Sequence, residues 1–230
     1  MGGRGALMVL EGCDRAGKTT QSSLLTKSLK AAGKRVELWK FPDRTTRTGQ
    51  ILDAYLKKEL NTADEVVHLL FSANRWELKK KMLDTLQDGV SLVVDRYAFS
   101  GAAFTAAKGC RSLAWCKSPD SGLPRPDVVF FMDLPAHLAQ ERKGYGDEIY
   151  DHHEFQQKVR QQYMQLRDDS YWQMINASGS PDEISQRLHT TALDVMAKVG
   201  ELPISQLWPE VEKLDRMNIE ANGLHNHLPS

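Results

Sequence analysis

The most constraining feature of the chain is the octapeptide Gly12-Cys13-Asp14-Arg15-Ala16-Gly17-Lys18-Thr19, a complete GxxxxGK[ST] pattern. It follows Ala6-Leu7-Met8-Val9-Leu10, a short apolar run without polar alternation, as a strand buried on both faces requires. It leads into a helical stretch predicted from Lys18 to Ala32, with Gly33 as the stop. In that setting the spacing has a mechanical meaning. Glycines let the backbone curl so that N–H groups converge on phosphate oxygens, and the helix dipole favours the anion. Gly12, Asp14, Arg15, Ala16, Gly17, Lys18, Thr19 and Thr20 form the expected ATP-binding set. Lys18 can reach the β- and γ-phosphates as a point charge, and the Thr19 hydroxyl can ligate the Mg²⁺ that accompanies ATP.

A loop of this kind needs a parallel sheet around it, and the rest of the chain supplies one. Strands are predicted from Arg35 to Phe41, Val90 to Asp95, Asp127 to Asp133 and Tyr171 to Asn176. Helices are predicted at 48–58, 63–87, 154–167 and 182–198. The alternation implies a three-layer α/β/α fold with a five-stranded parallel sheet, of the P-loop NTPase kind. One domain is expected over 1–208, with a short lid at about 140–151. The tail at 209–230 weakens in pattern and is expected to be loosely attached.

Composition narrows the class. Thirty basic and thirty acidic residues give a formal net charge of zero, so a polyanion-binding surface is not implied and nucleic acid is not the expected partner. Cys13, Cys110 and Cys116 are odd in number and lack CxxC spacing, which argues against a disulfide framework or zinc cage and for a reducing, cytoplasmic setting. No apolar run approaches the length of a membrane span. The guanine-reading Asn-Lys-x-Asp tetrapeptide does not occur, and 230 residues leave little room for the extra domains of a motor or transporter. A small-molecule kinase remains.

Four further segments suit that chemistry. Phe41-Pro42-Asp43-Arg44 closes the second strand, where open sheets place their ligands. Leu70-Phe71-Ser72-Ala73-Asn74-Arg75-Trp76 puts Phe71 and Arg75 on one helix face. Asp95-Arg96-Tyr97 closes the third strand and is followed by Ser100-Gly101. Arg142-Lys143-Gly144-Tyr145-Gly146 combines glycines with cations, as a mobile lid would.

With these motifs assembled, the chain resembles the thymidylate kinase family of eukaryotic type, from about Ala6 to Trp208. The resemblance implies transfer of the γ-phosphate of ATP to dTMP, with dUMP a second candidate acceptor, Mg²⁺ as the metal and a homodimeric assembly. It also implies residue roles. Phe71 stacks on thymine and Arg75 bonds its edge. Arg44 and Arg96 clamp the acceptor phosphate, for which a planar guanidinium fork is suited. Asp14 takes the sugar 3′-hydroxyl, and Asp95 acts near Mg²⁺, partly through water. Phe41, Ser100, Gly101 and Phe104 line the acceptor pocket. Tyr150 packs where a 2′-hydroxyl would sit, and Gln156 contacts the bound nucleotide. Arg15, inside the phosphate loop, stabilises the transferring phosphoryl group, while Arg142 covers the donor.

Some residues carry competing readings. Asp133 also ends a strand and rivals Asp95 for the metal role. Arg44 could equally be a surface ion-pair partner, and Phe71 ordinary helix core. Ile149 stands where vertebrate relatives place a lid arginine, which shifts weight to Arg15. Cys13, beside a helix N-terminus, is expected to favour its thiolate. Lys79-Lys80-Lys81 reads as a solvated helix face, and His152-His153 do not form a metal site. A related kinase for another pyrimidine monophosphate or a deoxynucleoside, and a nucleotide-gated binding protein without catalysis, are the alternatives.

Overall fold

The computed structural model describes residues 3–135, 138–139 and 153–209. Its five strands are β1 (Leu7–Glu11), β2 (Val36–Lys40), β3 (Ser91–Asp95), β4 (Val128–Asp133) and β5 (Trp172–Asn176). All pair in parallel in the order β2-β3-β1-β4-β5. The helices are α1 (Lys18–Ala31), α2 (Arg47–Leu56), α3 (Asp64–Gln87), α4 (Ala98–Ala107), α5 (Leu113–Lys117), α6 (His153–Leu166) and α7 (Pro181–Val199).

Position in the sheet explains the composition of each strand. β1 is central, so Leu7, Met8, Val9 and Leu10 are all fully buried and apolar. β2 and β5 lie at the edges and carry exposed residues as well as buried ones. One sheet face carries Leu7, Val9, Leu92, Val94, Val129 and Phe131, which pack with Met82 and Leu86 of α3, Phe99 of α4 and Tyr163 of α6. The opposite face carries Met8, Leu10, Val93, Phe130 and Met132, which pack with Leu25 and Leu29 of α1 and Leu188 of α7. The period-two alternation of β1 thus feeds two cores, and the three-layer expectation holds.

Helical periodicity does not announce α4. Ala102, Ala103, Ala106 and Ala107 are buried with Ala98 and Phe99, so nearly every side of the helix faces protein and no polar stripe exists. Its small side chains let it run between the sheet and α6. Elsewhere the predicted elements agree to within a few residues. α2 begins at Arg47 rather than at 48, because the Thr46 side chain caps it by accepting from Gly49 N at 3.1 Å.

Both ends of the described chain are tied to the base of the sheet. Arg4 donates to Asp127 through two nitrogens at 2.8 and 2.7 Å, and Asp127 also accepts from Leu7 N at 2.8 Å. This pair aligns the starts of β1 and β4. Residues 205–207 return along 122–125, through Arg125 N to Ser205 O at 2.8 Å and Leu207 N to Leu123 O at 2.7 Å. Trp208 is buried edge-on against Phe99, with centroids 5.4 Å apart. The expected lid at 140–151 and most of the tail lie outside the described residues.

With the base pinned, the C-terminal ends of β1, β2 and β3 converge on one side, at the crevice where open α/β sheets bind ligands. α7 follows β5, its Pro181 O accepting from Gln21 Nε2 of α1 at 2.9 Å, and starts with a full capping box between Ser180 and Glu183. Ser180→Ala is therefore expected to lower stability by about 1 kcal/mol and Tm by roughly 2–4 °C, with turnover unchanged. Calorimetric melting beside an activity assay checks both.

Candidate active site

The phosphate loop takes its shape from three backbone positions. Gly12 has φ 145°, and a Cβ there would stand 2.6 Å from Met132 O, so only glycine lets the loop leave β1 beside β4. Gly17 has φ 90° at the N-cap of α1. Between them Arg15 has φ 60°, a left-handed conformation uncommon outside glycine. The buried Lys18 ammonium donates to Cys13 O at 2.6 Å, across the curl of the loop. Burial, then the nearby Arg96 cation, push Lys18 down to about 8. An incoming polyphosphate would offset both.

Asp14 joins the loop to the rest of the site. Its carboxylate accepts from Arg96 Nη2 and from Gln156 Nε2 at 2.8 Å, while Gln156 Oε1 accepts from Asp14 N at 3.0 Å. Burial opposes ionisation of Asp14, but Arg96 and Lys18 outweigh it and hold the carboxyl below its ordinary range. Arg96 has φ 68° immediately after β3. Burial disfavours its charge too, yet Asp14 and the neighbouring acids hold it above its usual value.

The same strand end builds a hard-oxygen corner. The Thr19 hydroxyl donates to Asp95 Oδ2 at 2.6 Å, and Asp95 Oδ1 is buried with no hydrogen-bond partner among the described residues. An orphaned carboxylate oxygen beside a hydroxyl fits Mg²⁺, which takes few protein oxygens and keeps most of its water. Asp133 does not compete for this role: Arg160 donates to both its oxygens at 2.8 Å. No cluster of three or more acidic, His or Cys ligands occurs among the described residues.

Across from the loop, one cavity of about 670 Å³ gathers the remaining predicted residues. Phe41 and Arg44 reach it from the end of β2, Phe71 and Arg75 from α3, and Arg96, Ser100, Gly101 and Phe104 from the turn into α4. Arg15, Lys18 and Thr19 line its other end. Phe71 flanks the small cluster of Leu52, Tyr55 and Val67 while facing the cavity, so the core and the binding readings describe the same side chain. Arg44 likewise pairs with Asp53 at 2.6 Å and lines the cavity. Arg142, Lys143, Ile149 and Tyr150 lie outside the described residues.

Several residues that hold the site escaped the sequence reading. Asp120 clamps Arg75 through Nε at 3.0 Å and Nη2 at 2.6 Å, both side chains being almost fully buried. Gly101 leaves room for that guanidinium, since a Cβ there would meet Arg75 Nη2 at 2.9 Å. Asn74 accepts from Asp43 N at 2.8 Å and donates to Asp43 O at 3.1 Å, fixing the loop that carries Arg44. Asn74 sits inside the quoted helix motif, but only the folded chain shows what it faces. Lys40, Lys57 and Lys108 also line the cavity. Together with Arg15, Lys18, Arg44, Arg75 and Arg96 they set, among the described residues, eight cations around it against the one lining carboxylate of Asp14. A chain of zero net charge thus gathers cations at one place.

Two smaller expectations resolve differently. Cys13 does not favour its thiolate: burial pushes the thiol up to about 11, overriding the Lys18 cation and the helix terminus. Its Sγ lies 3.6 Å from Gln156 O as a donor. Lys79, Lys80 and Lys81 behave as a solvated face, with Lys80 pairing to Asp84 and the other two lying over Trp76 and Trp39.

Comparison with known proteins follows this geometry closely. The family profile described as Thymidylate kinase matches residues 10–188. The chain is 47% identical to the thymidylate kinase of Homo sapiens and 46% identical to that of Danio rerio, each over 207 residues covering 89% of this chain and 98% of the relative. Among solved structures, the thymidylate kinase of Candida albicans superposes with a TM-score of 0.79 at 35% identity, covering 90% of this chain and 99% of that one. The fold, the phosphate loop and these matches agree: the chain is a phosphotransferase and belongs to the thymidylate kinase family.

Proposed function

We propose that the enzyme transfers the γ-phosphate of ATP to dTMP, giving dTDP and ADP, in a single catalytic unit that extends to Trp208. The observation that carries this reading is the shared cavity. A phosphate cradle stands at one end, an aromatic and guanidinium niche at the other, and the Arg96–Asp14 pair stands between them. Two phosphates held in line across a cationic floor need little else, because phosphoryl transfer is catalysed mainly by positioning and charge stabilisation.

Each side chain then has a task. Lys18 and the loop amides hold the donor phosphates, and Arg142 covers the donor. Phe71 and Phe104 bracket the base, and Arg75, locked by Asp120, offers its edge in a fixed orientation. Phe41, Ser100 and Gly101 close the wall behind it. Arg44 and Arg96 take the acceptor phosphate, Asp14 the 3′-hydroxyl, and Tyr150 excludes a 2′-hydroxyl. Gln156, bonded to Asp14, fixes the carboxylate that meets the sugar. Thr19 and Asp95 would hold Mg²⁺, which supplies charge neutralisation between the two nucleotides. Arg15 stabilises the transferring phosphoryl group, supported by its place on the loop and on the cavity wall. The acceptor oxygen is already anionic, so no general base is required.

The cytoplasmic setting is supported by three free cysteines. A homodimer is supported by Val66, Leu69 and Trp76, which leave an apolar stripe exposed along α3 at helical spacing. Sedimentation of the full chain is expected to give twice the 26.0 kDa monomer mass, and Leu69→Glu is expected to shift it toward the monomer. A wild-type protein that stays monomeric at micromolar concentration refutes the dimer.

A coupled ADP assay across dTMP, dUMP, dGMP, UMP and thymidine tests the reaction itself. dTMP should be preferred, with dUMP lower in kcat/KM by about tenfold or more, since one methyl group in an apolar pocket is worth about 1–3 kcal/mol. Best turnover with another acceptor sinks the dTMP reading, and silence with all of them sinks catalysis. Arg15→Ala is expected to lower kcat at least about a hundredfold with KM for ATP changed less than about threefold. Equal losses in kcat and ATP affinity would mean that Arg15 only binds.

A further inference from the structure

Glu11 is the last residue of β1, directly before the phosphate loop, and it is fully buried without lining the cavity. An isolated acid in such a place is costly, so its partners matter. Its Oε1 accepts from Tyr97 N at 2.8 Å and Ser100 N at 3.0 Å, two of the orphan donors at the start of α4. Its Oε2 accepts from Ser100 Oγ at 2.5 Å and Tyr163 OH at 2.9 Å. One side chain therefore ties together β1, the N-terminus of α4 and the C-terminal part of α6. Between β3 and the two amides that Glu11 holds stands Arg96, in its left-handed conformation. Arg96 also donates to Ser100 Oγ at 3.3 Å, so the hydroxyl that Glu11 fixes in turn fixes the guanidinium.

The α6 contacts extend the arrangement. Gln156 and Tyr163 lie seven residues apart on one helix face, the first bonded to Asp14 and the second to Glu11. Tyr163 OH also reaches Gly12 O at 3.4 Å and Ser100 Oγ at 2.8 Å. The carboxylates of Glu11 and Asp14, on either side of Gly12-Cys13, are thus both held by α6, and both bear on Arg96. Burial raises the Glu11 carboxyl above its ordinary range, while the Ser100 hydrogen bond and the Arg96 cation act against that rise.

We propose that Glu11 is a positioning residue for the acceptor-phosphate clamp: by capping α4 from beneath and fixing Ser100, it sets where Arg96 meets the acceptor. It touches neither nucleotide. The inference rests on the dTMP kinase reading above, and its effect should fall on the acceptor side of the reaction rather than on ATP.

The test compares Glu11→Ala, Glu11→Gln and Tyr163→Phe in the full chain, measuring kcat, KM for each substrate, calorimetric dTMP affinity without ATP, and Tm. Glu11→Ala should weaken dTMP affinity and raise its KM about tenfold, as two unpaired buried amides imply, with KM for ATP changed less than about threefold. Glu11→Gln should recover most of this, because its amide oxygen still accepts from both N–H groups. Tyr163→Phe should give a smaller loss of the same kind, about threefold, and carries the test if Glu11→Ala does not fold. Folded variants that lose Tm while keeping wild-type dTMP affinity and KM, or that lose ATP and dTMP equally, overturn the positioning role. If wild-type enzyme turns over dTMP and the variants match it, this inference fails alone. A wild-type enzyme inert toward dTMP overturns the underlying reading and this inference with it.

Discussion

The ion pair between Asp14 and Arg96 is the interaction on which the site depends, because it joins the loop after β1 to the turn after β3. The two strands are hydrogen-bonded neighbours, so their C-terminal ends emerge side by side, but neither loop would hold its shape alone. Arg15 and Arg96 both sit in left-handed backbone conformations, each costing of order 1–3 kcal/mol when not over-determined by its surroundings. A largely buried pair of opposite charges repays its desolvation only when further hydrogen bonds complete it. Here Gln156 completes Asp14, and Ser100 completes Arg96.

The same logic runs around the whole cavity. Arg75 is held by Asp120, Arg44 and Lys57 by Asp53, Lys108 by Asp64, and Lys40 lies 3.9 Å from Asp95. Each carboxylate except Asp14 stands off the cavity wall and lends its partner a fixed geometry while leaving the wall cationic. Self-repulsion is offset before any substrate arrives, and the donors need no reorganisation when charge develops. Such an arrangement favours small polyanions that enter the crevice over long ones that lie on a surface.

The sheet and the loop were legible because their signals are local. A strand covered on both faces reads as a near-continuous apolar run, and a phosphate cradle needs glycine at fixed intervals before a helix. Residues 6–10 and 12–19 satisfy both demands within a few positions of each other. Phe71 and Arg75 were readable as a pair for the same reason, since helical spacing alone puts them on one face. α4 was not legible, because burial on nearly all sides erases the contrast on which periodicity depends. Asp120, Asn74 and Glu11 were not legible either, since each acts on a residue 31 to 89 positions away.

The sequence by itself therefore determined the phosphate cradle, the parallel three-layer architecture and the residue types that face phosphate, because these follow from short-range spacing and apolar runs. Tertiary structure decided which carboxylate holds which cation, that Asp133 is engaged by Arg160 while Asp95 keeps an open oxygen, and that Cys13 stays protonated. Those outcomes turn on burial and on contacts between distant segments. Desolvation and Coulomb attraction act through space, and only the packed chain sets those distances.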